Sequence, residues 1–110
     1  MLKLEVTKTE YFGKLVKKFA KKYRNIEKDI DFFLDSIETI EQLGTPLGKN
    51  LYKARIQNSD NVKGKSGGYR LISYLRLINN ELTLVYIYSK SEYENIDEKL
   101  LDKLILDTLK

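Results

Sequence analysis

Residues 69–89, YRLISYLRLINNELTLVYIYS, decide the fold, because two segments of alternating character flank a pair of asparagines. We predict strands over residues 69–78 and 81–89. Asparagine tolerates positive φ angles, so Asn79–Asn80 is suited to a two-residue hairpin turn. These 21 residues therefore predict an antiparallel hairpin.

The position of this turn predicts which side chains share each face of the hairpin. One face is rich in leucine and is predicted to comprise Leu71, Ser73, Leu75, Leu77, Leu82, Leu84, Tyr86 and Tyr88. The opposite face is predicted to comprise Arg70, Ile72, Tyr74, Arg76, Thr83, Val85, Ile87 and Ser89. We expect the first face to pack on helices and the second, half-polar face to contain the functional groups.

Two further strands and two helices precede the hairpin. Residues 3–7 and 51–57 alternate as strands do, and between them apolar side chains recur at helical spacing. The two helical stretches are capped by Thr9 and Asn25, and Gly44 is the predicted stop. The apolar positions are Phe12, Leu15, Val16, Phe19, Ala20 and Tyr23 in the first helix, and Ile26, Ile30, Phe33, Leu34, Ile37 and Ile40 in the second.

The segments that remain are two loops and the C-terminal stretch. Residues 44–48 and 58–68 are rich in glycine and polar side chains and are predicted loops. Residues 97–109 form an amphipathic pattern that Asp97 can cap. The order of elements predicts an α+β fold in one domain, residues 1–110. In it an N-terminal strand and a helical hairpin pack on a mostly antiparallel four-stranded sheet, followed by a C-terminal helix.

Composition excludes several classes of site. The chain has no cysteine and no histidine, so disulfides, thiolate or histidine metal sites and a Ser-His-Asp triad are excluded, and we expect neither metal nor cofactor. No apolar run approaches the roughly 20 residues of a membrane span, and the N-terminus lacks a secretory signal pattern. We therefore expect a cytoplasmic protein that does not contact membranes.

Positive charge is concentrated in the middle of the chain. Between residues 49 and 76 there are seven basic side chains, with Asp60 as the single acidic one. The basic residues are Lys49, Lys53, Arg55, Lys63, Lys65, Arg70 and Arg76. Such a segment favours a polyanionic partner, and a solvated lysine-rich surface explains the composition equally well. Alternation places Lys53 and Arg55 on one face of their strand, from which the sheet can bring them beside Arg70.

Three segments resemble a known family when they are taken together. They are LYKARI at 51–56, GKSGGYRLISY at 64–74 and YIYSKSE at 86–92. In order and spacing they are similar to the RelE/ParE superfamily of toxin–antitoxin toxins, and most similar to its HigB-like RelE branch. The resemblance covers nearly the whole chain and implies a ribosome-dependent endoribonuclease, an mRNA interferase, that inhibits translation and is held inactive by a cognate antitoxin.

The resemblance also implies site residues. Lys53 and Arg55 match the basic pair of the second family strand, Arg70 matches the arginine of the Gly-Tyr-Arg strand, and Lys90 matches the lysine after the last strand. Ser91 stands where RelE has a second arginine. Tyr93 is the nearest candidate for the C-terminal catalytic tyrosine, and the loop with Lys63 and Lys65 is longer than in RelE.

RNA provides its own nucleophile, so these residue types suffice for cleavage. Fixed cations stabilise the charge that develops on phosphorus, and lysine or tyrosine can transfer protons. We predict that Arg70 stabilises the phosphorane and that Lys53 or Lys65 is the base, while Lys90 or Tyr93 is the acid. Residues predicted to bind RNA are Arg55, Lys63, Tyr74 and Arg76, with Tyr74 stacking on a base.

Two alternatives stay open at this point. A ParE-like chain would inhibit DNA gyrase without cutting RNA, and a degenerate chain would only bind its antitoxin. The partners expected are the antitoxin, the ribosome and messenger RNA. We expect a monomer that forms a hetero-oligomer with the antitoxin, which would cover exposed Ile72, Val85 and Ile87 and displace residues 97–109.

Overall fold

The computed structural model describes residues 3–60 and 68–89, together with Lys99 and Lys103. These residues form a mixed α+β structure, which confirms the predicted fold class. The strands are β1 (Glu5–Lys8), β2 (Thr45–Gly48), β3 (Leu51–Ile56), β4 (Tyr69–Arg76) and β5 (Glu81–Ser89). The helices are α1 (Glu10–Ala20) and α2 (Ile26–Asp35), with 3₁₀ turns at Ile40–Leu43 and Leu77–Asn79.

Among the described residues the sheet has five strands in the order β1-β5-β4-β3-β2, so the prediction of four strands was wrong. The additional strand, β2, has the sequence TPLG and lies where the sequence predicted a loop. Four residues with a proline and a glycine show no alternation. Proline fits here because β2 is an edge strand, where a missing N–H costs no ladder bond on the outer side. All pairs are antiparallel except β1 with β5, which is parallel.

The caps of the two helices differ. The Thr9 hydroxyl accepts a hydrogen bond from the Phe12 N–H at 3.0 Å, which confirms the predicted cap of α1. Asn25 occupies the cap position of α2, but its side chain makes no capping bond. It donates instead to Asp60, and α2 ends at Asp35, well before the predicted stop at Gly44.

The main core lies between the helices and one face of the sheet. Phe12 and Val16 of α1 and Ile26 and Ile30 of α2 are buried in it, as their helical spacing predicted. The sheet contributes Ile56, Tyr69, Leu71, Leu75, Leu82, Leu84 and Ile87. We call this the helix face of the sheet. Within the described part of the chain, neither helix has the length and apolar character that crossing a membrane requires.

The β4–β5 hairpin has a different register from the predicted one. A 3₁₀ turn replaces the two-residue turn, so that Arg76 pairs with Glu81, whereas a two-residue turn at Asn79–Asn80 would pair it with Thr83. The register then shifts between Ile72 and Ser73, because Val85 is an additional residue on β5. A bulge of this kind reverses the alternation beyond it.

This bulge corrects half of the predicted face assignment. Residues 70–76 of β4 lie on the faces predicted for them. The same holds for Leu82, Thr83, Leu84 and Val85 of β5. Beyond Val85 the prediction was wrong. Ile87 packs in the core of the helix face, and Ser89 lies opposite Tyr69. Tyr86 and Tyr88 lie on the opposite face, which we call the cationic face.

Candidate functional site

The pairing of β3 with β4 brings three cations together on the cationic face. Arg55 pairs directly with Arg70, and Lys53 pairs with Ile72, two residues further along β4. Paired Cα atoms in antiparallel strands lie about 5 Å apart. The prediction that Lys53, Arg55 and Arg70 share one face is therefore confirmed. We call these residues the cationic trio.

The trio belongs to two rows that cross three strands. Each row takes one residue from β3, one from β4 and one from β5. The rows are Arg55–Arg70–Tyr88 and Lys53–Ile72–Tyr86. Tyrosines on β5 therefore border the trio on one side.

The charges of the trio are not neutralised by ion pairs within the described residues. Arg55 is exposed, whereas Lys53 and Arg70 are half-buried. Arg70 Nη1 donates a hydrogen bond to the Tyr69 carbonyl at 3.3 Å, which orients the guanidinium without cancelling its charge. An ion pair does form between Lys14 and Glu10, but it lies on the surface of α1.

Asp60, the acidic residue of the basic segment, is held at the start of α2. Its carboxylate accepts hydrogen bonds from the Asn25 backbone N–H at 2.7 Å and from Asn25 Nδ2 at 3.2 Å. Beside it, the Ser59 N–H donates to the Asp29 carboxylate at 3.0 Å. A carboxylate at a helix N-terminus interacts favourably with the helix dipole. These hydrogen bonds attach the segment that follows β3 to α2, and they hold the Asp60 carboxylate at the N-terminus of that helix.

A small apolar cluster forms the floor beside the trio. Its buried members are Leu51, Ile72, Val85 and Tyr88, with Leu47, Tyr74 and Tyr86 packed against it. The expectation that Ile72, Val85 and Ile87 are exposed was wrong, since the exposed fraction of each is 1% or less. Alternation alone does not reveal that both faces of this sheet are packed.

Tyr88, like Tyr86, was placed on the wrong face by the sequence interpretation. Burial raises the pKa of its hydroxyl, and the neighbouring positive charge of Arg70 acts in the opposite direction. The Tyr-Ile-Tyr spacing of residues 86–88 is compatible with either face, because the bulge that decides between them has no signature in the sequence.

Tyr74 and Arg76 lie further along β4, at different distances from the trio. Arg76 is six residues along β4 from Arg70, which is about 20 Å at the rise of an extended strand. Its guanidinium carbon lies 5.7 Å from the centre of the Tyr74 ring, and Tyr74 also packs against the apolar cluster. The structure therefore separates Arg76 from Arg55 and Arg70, whereas Tyr74 lies diagonally across the strands from Lys53.

The other predicted site residues lie outside the described part of the chain. They are Lys63, Lys65, Lys90 and Tyr93, and the departure at Ser91 lies there as well. Of the predicted helix 97–109, Lys99 and Lys103 are described, and both are helical. The roles of these residues stay predictions.

Chemically, the cationic trio can hold a phosphate. Two guanidinium groups on paired residues present several N–H donors, and arginine matches phosphate oxygens with two parallel hydrogen bonds. The paired strands fix the backbone positions of these cations, and the Arg70 guanidinium is oriented before a ligand arrives, as stabilisation of developing negative charge requires.

Comparison with known families gives one match. A family model described as the RelE toxin of the RelE/RelB toxin–antitoxin system matches residues 5–105, which include every described strand and both helices. No match to the chain is found among curated proteins. The matched range contains the complete cationic trio.

Proposed function

Since the chain belongs to the RelE family, and is thus a toxin of a type II toxin–antitoxin system with an antitoxin as partner, we propose that it cleaves messenger RNA on the ribosome. Endoribonuclease toxins are characteristic of this family. The HigB-like branch remains a prediction from the motifs.

The observation that supports the proposal is the direct pairing of Arg55 with Arg70, with Lys53 on the same face. Such a group suits a phosphodiester, whose negative charge increases as the phosphorane forms. A preorganised cation acts where this charge develops, and removing one such group typically slows a reaction by about 100- to 1,000-fold.

The proposed reaction is a transesterification within the RNA. The 2′-oxygen attacks the adjacent phosphorus and loses its proton to a base, for which Lys53 and Lys65 are the candidates. The bond from phosphorus to the 5′-oxygen breaks, and that oxygen gains a proton from an acid, for which Lys90 and Tyr93 are the candidates. The products are a 2′,3′-cyclic phosphate and a 5′-hydroxyl end.

In this scheme the two arginines have separate tasks. Arg70 stabilises the phosphorane, and Arg55, which is more exposed, binds a phosphate of the incoming strand. The ribosome aligns the messenger, so that the reacting atoms approach in the required geometry.

The test is controlled expression of the chain in a bacterial host, followed by mapping of messenger 5′ ends. We expect cuts at fixed positions within codons of translated messengers. Arg70→Ala should reduce cleavage at least about 100-fold while antitoxin binding is retained. Arg24→Ala is the matched control, because it removes the same charge from an exposed position in the turn between α1 and α2.

Three outcomes would contradict the proposal. Changes in plasmid supercoiling without messenger cuts would favour a gyrase inhibitor. Full toxicity of Arg70→Ala would show that the trio is not the site, and antitoxin binding without toxicity of the parent chain would favour an inactive module.

A further inference from the structure

Three tyrosine rings form a continuous row next to the cationic trio. The ring centres of Tyr88 and Tyr86 are 5.9 Å apart, with 35° between the ring planes. The rings of Tyr86 and Tyr11 are nearly parallel, with 6.0 Å between centres and an angle of 8°. These distances lie within the range of favourable aromatic pairs. The row thus connects β5 to the first turn of α1.

Two features of the backbone assemble this row. The bulge at Val85 turns Tyr86 and Tyr88 toward the cationic face. On the other side, β1 ends at Lys8 opposite Leu84, and the Thr9 N–H donates to the Leu84 carbonyl at 3.1 Å. Since α1 begins at Glu10, its first turn lies beside the part of β5 that β1 does not reach. This places Tyr11 against Tyr86.

Burial changes steadily along the row. Tyr88, the Cα partner of Arg70, is 1% exposed, Tyr86 is half-buried, and Tyr11 is 42% exposed. An exposed tyrosine in the first turn of a helix is not needed for the core. The row therefore starts beside Arg70 and ends in an aromatic ring that contacts solvent.

We infer that Tyr11 is a stacking site for an unpaired nucleobase of the RNA whose phosphate is held by Arg55 and Arg70, an inference that rests on the proposed function. Tyr86 lies diagonally across the strands from Arg70, a separation of about 7–8 Å, and the Tyr11 ring centre lies a further 6.0 Å from that of Tyr86. Base and phosphate can therefore belong to the same short stretch of strand. Stacking on an aromatic ring is open to every base. The ligand class is thus single-stranded RNA of little sequence preference.

The test is the affinity of the full chain for a short, unpaired RNA with 2′-O-methyl groups, which block cleavage. Loss of a base stack costs about tenfold in affinity by alanine substitution. We expect this loss in Tyr11→Ala and in Tyr11→Leu, which keeps apolar volume without a ring. Tyr11→Phe retains the ring and should bind like the parent chain. Phe32→Ala, which removes a 75% exposed ring from α2, is the matched control and should also bind like the parent.

A second RNA sharpens the result. The same oligomer is prepared with single abasic positions in turn, and one of them should weaken binding to the parent chain about tenfold. That abasic RNA should bind Tyr11→Ala no more weakly than the intact RNA does, because the stacking partner is already absent. Circular dichroism of each variant checks that the helices remain folded.

The outcomes separate this inference from the proposed function. Equal affinity of Tyr11→Ala and the parent, an equal loss in Phe32→Ala, or no binding by the parent would each overturn the stacking site. The proposed function is judged independently by the messenger cuts. A chain that cuts messengers while Tyr11→Ala binds RNA normally would keep the nuclease and exclude the stack.

Discussion

The two faces of the sheet use the same strands for different purposes. On the helix face, Leu71 and Leu75 of β4 pack against α1 and α2 in a core that extends over most of the sheet. On the cationic face, Ile72 lies in a small apolar cluster that borders Arg70. Both faces are packed, and they differ in what surrounds the apolar centre. A charged face can thus be built on a buried floor of its own.

The largest expected effect is the loss of stability when Leu71 or its neighbour Ile72 is truncated. They are 1% and 0% exposed and point to opposite faces. We expect Leu71→Ala and Ile72→Ala each to lower the free energy of unfolding by about 3 kcal/mol, because each leaves a cavity. Urea unfolding measures this loss.

Activity should distinguish the two substitutions. Ile72 pairs with Lys53 on one side and with Tyr86 on the other, so Ile72→Ala should also reduce cleavage per folded molecule. Leu71→Ala should leave cleavage per folded molecule unchanged. Equal activity of the two variants at a temperature where both are folded would contradict the separation of the faces.

An intermediate effect is expected at Gly44, where the chain leaves the helix side and enters β2. Gly44 has a φ of +113°, and an added Cβ would overlap the Lys53 carbonyl oxygen and lie 2.8 Å from the Ala54 Cα. Gly44→Ala should therefore cost at least about 2 kcal/mol of unfolding free energy, measured in urea. It should also disturb the backbone that presents Lys53.

Gly48 is the matched control at the other end of β2. Its φ is +90°, but no atom lies within 4 Å of an added Cβ. Gly48→Ala should thus cost only about 1 kcal/mol, the conformational part of the effect. If Gly44→Ala and Gly48→Ala cost the same free energy of unfolding, the close approach of Gly44 to β3 would not be what makes glycine necessary there.

The smallest effect at neutral pH is expected for Tyr69, on the helix face of β4. Its hydroxyl is buried and makes no hydrogen bond with any residue in the described part of the chain. Desolvation raises the pKa of Tyr69 above its ordinary value of 10.0, and the charges of Asp29 and Asp60 raise it further. Tyr69→Phe should change stability by less than about 1 kcal/mol at pH 7.

The stabilities of the parent chain and of Tyr69→Phe should differ at alkaline pH. A tyrosine whose pKa is raised by folding stabilises the protein below pH 10, and this stability is lost as the pH rises above 10. The parent chain should weaken there, and Tyr69→Phe should weaken less. Urea midpoints at pH 7 and above pH 10 measure this, and identical alkaline losses in both proteins would contradict the assignment.

Much of the fold followed from the periodicity of the sequence. Spacing predicted both helices and four of the strands, because burial of one helix stripe or one strand face imposes a period. The fifth strand, Thr45–Gly48, could not be predicted in this way. It is held by pairing with β3, and four residues with Pro46 carry no periodic signal.

The site followed from the sequence only in part. Simple alternation was enough to predict that Lys53, Arg55 and Arg70 share one face, since no irregularity interrupts the pairing of β3 with β4. Tyr86 and Tyr88 were missed because one additional residue, Val85, reverses the parity of everything after it. A bulge is a property of two paired strands, and neither strand shows it alone.

The parallel pairing of β1 with β5 has a consequence for the order of assembly. Glu5 pairs with Glu81, and the Thr7 and Thr83 hydroxyls lie 2.9 Å apart although 76 positions separate them along the chain. Hairpins between neighbouring strands close short loops, whereas this contact closes a much longer loop, at a greater entropic cost. We therefore expect β1 to join the sheet last during folding and to exchange its amide hydrogens sooner than β4.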